Sequence, residues 1–280
     1  MTMDALRDSP APFDARIQDV RPHPGQGQVA TWLREDFAGS EIRESHRFED
    51  DRVQDAYSLR CMPQVHGAVL GVLDHLESVL SIESGSATDN PLVFPNEGDV
   101  ISGGNFHGAP LAYALDYASI ALTDLISITE RRIERLINPD LSEGLPAFLA
   151  PSAGMESGFM MAHVTAAALL CEARTLAHPA SCDNTPTSAG KEDHVSMGMT
   201  AALQFEQIVG LAEHVVAIEL MAACEGLAFR RPLRSSPAAE DLFTRTRAVF
   251  PPLSADRPLG PDTERVASAL REGILMPSVP

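Results

Sequence analysis

The chain has 280 residues, of which 44% are hydrophobic and only 5% aromatic, and its formal net charge is −18. This length is enough for one large domain or two small ones. The acidic excess argues against nucleic acid and anionic membrane surfaces as partners, because both are bound through basic patches.

The first fifty residues are polar and contain several prolines. We predict an N-terminal arm, residues 1–50, with one short helix over Gln26–Phe37. From Gln64 onward apolar residues recur every three or four positions, which is typical of an amphipathic helix. A loop rich in Gly, Asn, Asp and Ser follows at residues 83–108.

Three further segments carry the same apolar rhythm, and we predict helices at Pro110–Asn138, Ser157–Ala177 and Val195–Phe229. A helix of thirty residues is about 45 Å long. Long apolar stripes of this kind predict an all-α fold, a bundle of long central helices. A single copy cannot cover such helices on every side, so we expect self-association through them.

The predicted organisation is one domain in three parts. The N-terminal arm precedes the central long-helix bundle, residues 51–235. Residues 236–280 form a C-terminal helical cap, with one more helix that begins at Pro261 and Asp262.

The sequence contains no run of 18 uncharged apolar residues, so we expect no membrane span. The N-terminal stretch MTMDALRDSPAPFDARIQ lacks the apolar region of a secretory signal. The four cysteines form no CxxC pair. We therefore expect a cytoplasmic protein with reduced thiols.

Gln54, Tyr57 and Arg60 occur at three-residue intervals, and we expect Pro63 to stop this run. In a helical segment their side chains share one face. An arginine binds a carboxylate through two hydrogen bonds, a tyrosine can transfer a proton, and a glutamine can hold an electrophile. The alternative is a solvated face of mixed polarity.

Two loops carry further candidate groups. In SGGNFHG, two glycines precede Asn105, Phe106 and His107, next to a predicted helix N-terminus, where anions are favoured. In TSAGKEDHVSMG, Lys191 and Glu192 lie close to the start of another predicted helix. Plain loop-to-helix junctions and ordinary acidic capping are the alternatives. No metal site is expected, because HExxH is absent and no two of the nine histidines are four residues apart.

Several long motifs, taken together and in this order, resemble those of the histidine ammonia-lyases. The wider group is the aromatic amino acid ammonia-lyases and aminomutases. The resemblance covers nearly the whole chain, from about Phe13 to Gly273. The motifs that carry it are RPHPGQ, QDAYSLRC, DNPLVF, SGGNFH, ERRIERL, LAHPAS, EDHVSMG and AIELMAACEGLAFRRPL.

This resemblance implies an all-α dihedral tetramer whose active sites are built from several chains. It implies elimination of ammonia from histidine to give urocanate. The electrophile in the family is a methylidene-imidazolone group made from an Ala-Ser-Gly triplet of the protein itself. By position, Gln54 would support the electrophile, Tyr57 would line the reacting centre, and Arg60 would bind the substrate carboxylate.

The resemblance also assigns the loop residues. Phe106 would pack beside the electrophile, and Glu192 would meet the substrate side chain, an imidazole in the histidine enzymes. Lys191, Asn105 and His107 are further candidate substrate contacts.

Part of the family pattern is missing. Family members are roughly twice as long, and the chain resembles only their C-terminal half. No Ala-Ser-Gly triplet occurs in it. The methylidene-imidazolone is therefore expected on a partner chain that resembles the N-terminal half of a lyase. Met62, His66, Ala109 and Lys191 also depart from the residues usual in the histidine enzymes, and Lys191 could pair with Glu192.

Three hypotheses follow. In the first, the chain is one component of a two-component lyase that is inactive alone; the start MTMDALRD looks like a true beginning and supports this. In the second, it is a non-catalytic scaffold or regulatory subunit, which the departures from the family pattern favour. In the third, it is a truncated product of an ordinary lyase.

Overall fold

The computed structural model describes residues 1–48, 50 and 52–276. Within them the chain forms an all-α bundle with one small β-hairpin, which confirms the predicted fold class. The helices are α1 (Thr2–Ala5), α2 (Ala15–Asp19), α3 (Pro24–Phe37), α4 (Glu41–Glu44), α5 (Tyr57–Arg60), α6 (Met62–Ser84), α7 (Ala109–Ile137), α8 (Met160–Leu176), α9 (Gly198–Phe229), α10 (Pro237–Val249) and α11 (Gly260–Arg271). The strands are β1 (Leu92–Phe94) and β2 (Asp99–Ile101).

The long helices lie where the apolar periodicity predicts them. The bounds of α3, α7, α8 and α9 agree with the predictions to within three residues. Pro110 is in the first turn of α7, where its fixed φ and missing N–H cost nothing. The predicted loop at residues 83–108 contains the β1–β2 hairpin, whose Val93 and Val100 are paired and exposed.

The C-terminal prediction was incomplete. The expected helix there is α11, but α10 precedes it and was not predicted. Its signal was in the sequence: Ser236 caps the helix by accepting a hydrogen bond from the Ala239 N–H, and Pro237 follows at the first turn.

The core lies between the long helices. α7 packs chiefly against α9, α6 packs against α3 and α7, and α8 and α11 cover other faces of α9. The N-terminal residues belong to this core as well, because Met3, Leu6 and Phe13 are buried in the main apolar cluster and α1 packs on α9.

A buried ion pair joins the two central helices. The Arg132 guanidinium on α7 donates to both carboxylate oxygens of Glu219 on α9, at 2.6 and 2.7 Å. Thr2 of α1 donates to the same carboxylate at 2.8 Å. Burial alone would raise the pKa of Glu219, but the charge and hydrogen bonds of Arg132 outweigh it and lower that pKa.

Three helices, α6, α7 and α9, are long and apolar enough to cross a membrane by length and composition alone. No span was expected from the sequence because these helices carry a few charged residues among apolar ones, and so contain no uncharged run of 18. In the bundle 56% of the apolar window of α9 is buried within the chain. The absence of a membrane partner stays a prediction.

The helices α3 and α6 cross at very close range. A Cβ added to Gly67 would lie 2.4 Å from the backbone nitrogen of Gln26, and one added to Gly25 would lie 2.2 Å from the Gly67 carbonyl oxygen. Only glycine allows two backbones to approach this closely. The crossing fixes the start of α6 and with it the segment that carries Arg60.

Candidate active site

Gln54, Tyr57 and Arg60, which we call the arginine cluster, lie at the start of α6. They do not share one helical face, because α5 contains only Tyr57–Arg60 and Gln54 precedes it in a bend. Contrary to expectation, Pro63 does not stop this run; it lies in the first turn of α6. The Arg60 guanidinium carbon is 4.0 Å from the centroid of the Tyr57 ring, a cation–π contact.

A cavity of about 250 Å³ brings Gln54 and Arg60 together. Its lining also includes Arg43 and His46. The Nε of Arg60 is buried without a hydrogen-bond partner, and Arg60 forms no ion pair with any described residue. A buried guanidinium N–H without an acceptor is costly unless a ligand supplies one.

Charged groups hold the segment before α5 in place. The Arg52 guanidinium pairs with Asp50 at 2.7 Å, and the Ser9 backbone N–H donates to Asp55 at 3.0 Å. Asp8 is buried beside Asp55, and burial, followed by the charge of Asp55, raises the pKa of Asp8 well above its ordinary value of 3.8. The segment is therefore fixed by its neighbours although it is not helical.

The loop at residues 102–108 is tied to the residues that follow α6. The Asn105 side-chain amide donates to the Ala87 carbonyl at 2.7 Å, and the Gly103 N–H donates to Asn90 at 2.9 Å. Phe106 is 48% exposed. A Cβ on Gly103 or Gly104 would meet no atom of the chain within 4 Å, so one side of this loop is open.

Glu192 lies in an exposed loop and has an internal partner. The Thr187 hydroxyl donates to its carboxylate at 2.5 Å, and the two backbones form an antiparallel bridge. Hydrogen bonds from Thr187 and Ser188 lower the pKa of Glu192. Among the described ion pairs none joins Lys191 to Glu192, so the pairing raised as a possibility from sequence is absent.

The two loops meet. The imidazole rings of His107 and His194 are parallel, with centroids 5.7 Å apart, and His107 Nε2 is 3.1 Å from the His194 carbonyl oxygen. We call residues 102–108 and 184–196 together the two-loop unit. Phe106 and Glu192 thus belong to one local structure, which sequence spacing could not show because 87 residues separate the histidines.

The arginine cluster and the two-loop unit lie at opposite ends of α6. The cluster directly precedes this helix of 23 residues, which is about 34 Å long. The two-loop unit is attached beyond its other end, through Asn105 and Ala87. No described hydrogen bond or cavity joins the two groups. One copy of the chain therefore does not bring all the predicted site residues to one point.

Two of the departures from the family pattern are packing changes. Met62 is 5% exposed in the main core. His66 lies 3.3 Å from Arg132, and burial, followed by the charge of Arg132, lowers the pKa of His66 to about 4. It is therefore a neutral group that accepts from Arg132. Ala109 is the first residue of α7, beside the two-loop unit.

Among the described residues, no group of three or more His, Cys, Asp or Glu side chains is placed to hold a metal ion. The four cysteines are all free.

The fold is that of the ammonia-lyases and aminomutases. A crystal structure of tyrosine aminomutase from Streptomyces globisporus matches with a TM-score of 0.91 at 37% identity, covering 98% of this chain and 56% of that one. One of histidine ammonia-lyase from Trypanosoma cruzi matches with a TM-score of 0.89 at 45% identity, covering 98% and 51%.

A family model for aromatic amino acid lyases matches residues 1–248, and the chain belongs to that family. Histidine ammonia-lyase of Koribacter versatilis is 53% identical over 98% of this chain and 55% of its own length. The human enzyme of that name is 49% identical over 97% of this chain and 42% of its own length. The chain thus spans about half the length of the relatives it matches, and corresponds to their C-terminal part.

Proposed function

We propose that the chain is one component of an ammonia-lyase that acts on L-histidine or a related amino acid, giving urocanate and ammonia from histidine. It supplies contacts to the substrate carboxylate and side chain. The electrophile and the remaining catalytic residues come from polypeptide outside this sequence, which we propose to be a separate chain. The complex is a cytoplasmic hetero-oligomer that assembles through the long helices, as a tetramer of composite sites.

The observation that carries this proposal is the unpaired guanidinium of Arg60. The chain has 39 acidic and 21 basic residues. Even so, none of the described carboxylates pairs with Arg60, whose buried Nε faces no acceptor. A substrate carboxylate would satisfy this group, while Tyr57 holds the guanidinium plane by stacking. Relatives named histidine ammonia-lyase at about half identity support the substrate.

Glu192 suits the other end of the substrate. Its lowered pKa keeps it ionised at neutral pH, so it accepts hydrogen bonds and attracts positive charge. An imidazole N–H is such a donor. Because Glu192 belongs to the two-loop unit, at the opposite end of α6 from Arg60, a complete site takes these two residues from different copies.

The electrophilic group cannot form from this chain, because no Ala-Ser-Gly triplet is present. The residues present fit a position beside it. Gln54 is exposed at the cavity that Arg60 lines, and the open side of Gly103 and Gly104 lies next to the exposed Phe106 ring. When supplied by the partner, the methylidene-imidazolone provides the electron-poor centre that the elimination needs. Gln54 and Phe106 would hold and flank it.

The proposal is tested by isolating the chain from its native cell. We expect it to co-purify with a second lyase-like chain that carries Ala-Ser-Gly, as shown by intact mass and by the ultraviolet absorbance of the cyclised group. Ammonia release from histidine should occur only in the mixture. Activity of the purified chain alone, or lack of affinity for such a partner, would contradict the proposal.

A variant sharpens the test. Arg60→Lys keeps the charge but loses the two-pronged hydrogen bond, so KM for histidine should rise about tenfold to a hundredfold. Arg21→Lys, at an exposed arginine outside the site, is the matched control and should change nothing.

The missing triplet also favours a second candidate, a non-catalytic scaffold or regulatory subunit of a lyase complex. In that case Arg60→Lys would leave the partner's turnover unchanged.

A further inference from the structure

The two loops contact each other through the side chains of His107 and His194. The His107 and His194 rings are parallel to within 2° at a centroid distance of 5.7 Å. His107 also donates from Nε2 to the backbone carbonyl of its stacking partner, at 3.1 Å. Next to this pair, a Cβ on Gly108 would lie 3.1 Å from the Ser196 hydroxyl oxygen. The loops therefore meet through a ring stack, a hydrogen bond and a close backbone approach.

Asn184 fixes His194 from the other side. Its side-chain N–H donates to the Asp193 carbonyl at 3.0 Å, and its side-chain oxygen accepts from the Val195 N–H at 2.8 Å. One amide thus holds the residues immediately before and after His194. Asn184 was not singled out in the sequence, since nothing in its spacing indicates this bracket.

The two hydrogen bonds of Asn184, which we call the Asn184 bracket, also close the turn that carries Glu192. Between Asn184 and Asp193 the chain makes a tight turn in which Ser188 and Ala189 adopt positive φ angles of 54° and 57°. Such conformations are unfavourable for residues other than glycine, and persist only where neighbouring bonds hold them. The Thr187–Glu192 bridge and the Asn184 bracket are those bonds.

We propose that Asn184, His107 and His194 are positioning residues that lock the two loops into one rigid unit, so that Phe106 and Glu192 are presented together to one substrate. This replaces direct substrate contact as the role of His107, whose Nε2 is already engaged. All three side chains are largely outside the core, so their loss perturbs the unit and not the bundle. The catalytic part of the inference rests on the proposed function; the locking itself does not.

The chain offers a selective probe, because Lys191 is its only lysine. Endoproteinase Lys-C therefore has one site, between Lys191 and Glu192, and yields residues 1–191 and 192–280. Cleavage requires the turn to open. We expect Asn184→Ala and His107→Ala to be cut about tenfold faster than the wild type, with an unchanged thermal unfolding midpoint. Asp183→Ala, in the same exposed loop, is the matched control and should be cut at the wild-type rate.

His107→Phe separates the contribution of the ring stack from that of the His107 hydrogen bond. It keeps the ring stack and loses the N–H donor, so its cleavage rate should fall between those of the wild type and His107→Ala. In the assembled complex, His107→Ala and Asn184→Ala should raise KM for histidine at least fivefold more than they lower kcat, since both act through the placement of Glu192.

The outcomes are separable. Equal Lys-C rates for Asn184→Ala and Asp183→Ala, or faster cleavage with a lowered unfolding midpoint, would overturn the locking. Faster cleavage without any change in KM would overturn the positioning role. A complex that releases no ammonia from histidine refutes the proposed function, and the Lys-C result still decides the locking.

Discussion

The crossing of α3 and α6 allows a quantitative test through Gly67→Ala. The new Cβ would lie 2.4 Å from the backbone nitrogen of Gln26 and 2.6 Å from its Cα. Both are backbone atoms, so no side-chain rotation relieves the clash. The helices would have to separate by about 1 Å to restore an ordinary contact of 3.4 Å.

The expected cost combines two opposing effects. Overpacking in a core costs about 1–3 kcal/mol, and the upper end applies because two backbones clash. Alanine gains about 1 kcal/mol over glycine in helix propensity. The free energy of unfolding should therefore fall by about 2 kcal/mol. Gly71→Ala, one turn further along α6, meets no atom within 4 Å and should instead raise it by about 0.5–1 kcal/mol.

Urea unfolding measures both variants, and Trp32 provides the signal. It is the only tryptophan, lies on α3, and lines a cavity of about 300 Å³ together with Leu70 and Leu73 of α6. Its fluorescence therefore reports the docking of the two helices. If Gly67→Ala proves as stable as Gly71→Ala, the close crossing is wrong and so is the argument that it fixes the start of α6.

Three further substitutions test the charged groups. Asp8→Asn should stabilise the fold relative to the wild type, increasingly as pH rises above about 4. The reason is that the raised pKa of Asp8 keeps the folded carboxyl protonated after the unfolded one has ionised. Equal stability of the two proteins at pH 7 in thermal melts would count against this. Glu219→Gln should lower the free energy of unfolding in urea by about 3–5 kcal/mol, because it leaves Arg132 charged and uncompensated in the core. Adding Arg132→Met should restore part of the lost stability. If the effects of the two substitutions were additive, the pairing would be contradicted. Thr187→Val should raise the pKa of Glu192 toward its ordinary value, seen by carboxyl NMR titration, and an unmoved midpoint would show that the hydroxyl is not its partner.

The long helices were predictable because their apolar faces repeat over many turns, and no local signal competes with that period. α10 was missed because its Pro237 follows a polar stretch, although Ser236 and Pro237 are a helix-start signal. Pro63 was misinterpreted for a related reason: proline is common in the first turn of a helix as well as after its end.

The family motifs named Arg60 and Glu192 as candidate site residues, and their roles stay predictions. The arrangement could not be predicted, because the separation of these residues by α6 depends on the path of the chain. The bracket made by Asn184 depends on a left-handed turn at Ser188 and Ala189, conformations that their residue types do not favour. Contacts between distant loops carry no signature in spacing.

The composite site proposed above, which takes Arg60 and Glu192 from different copies, has a genetic consequence. A chain that lacks a working Arg60 still has an intact Glu192, and the reverse holds for a chain damaged at Glu192. Two inactive variants, expressed together and co-assembled, would therefore rescue each other, because some sites would draw each residue from the undamaged copy.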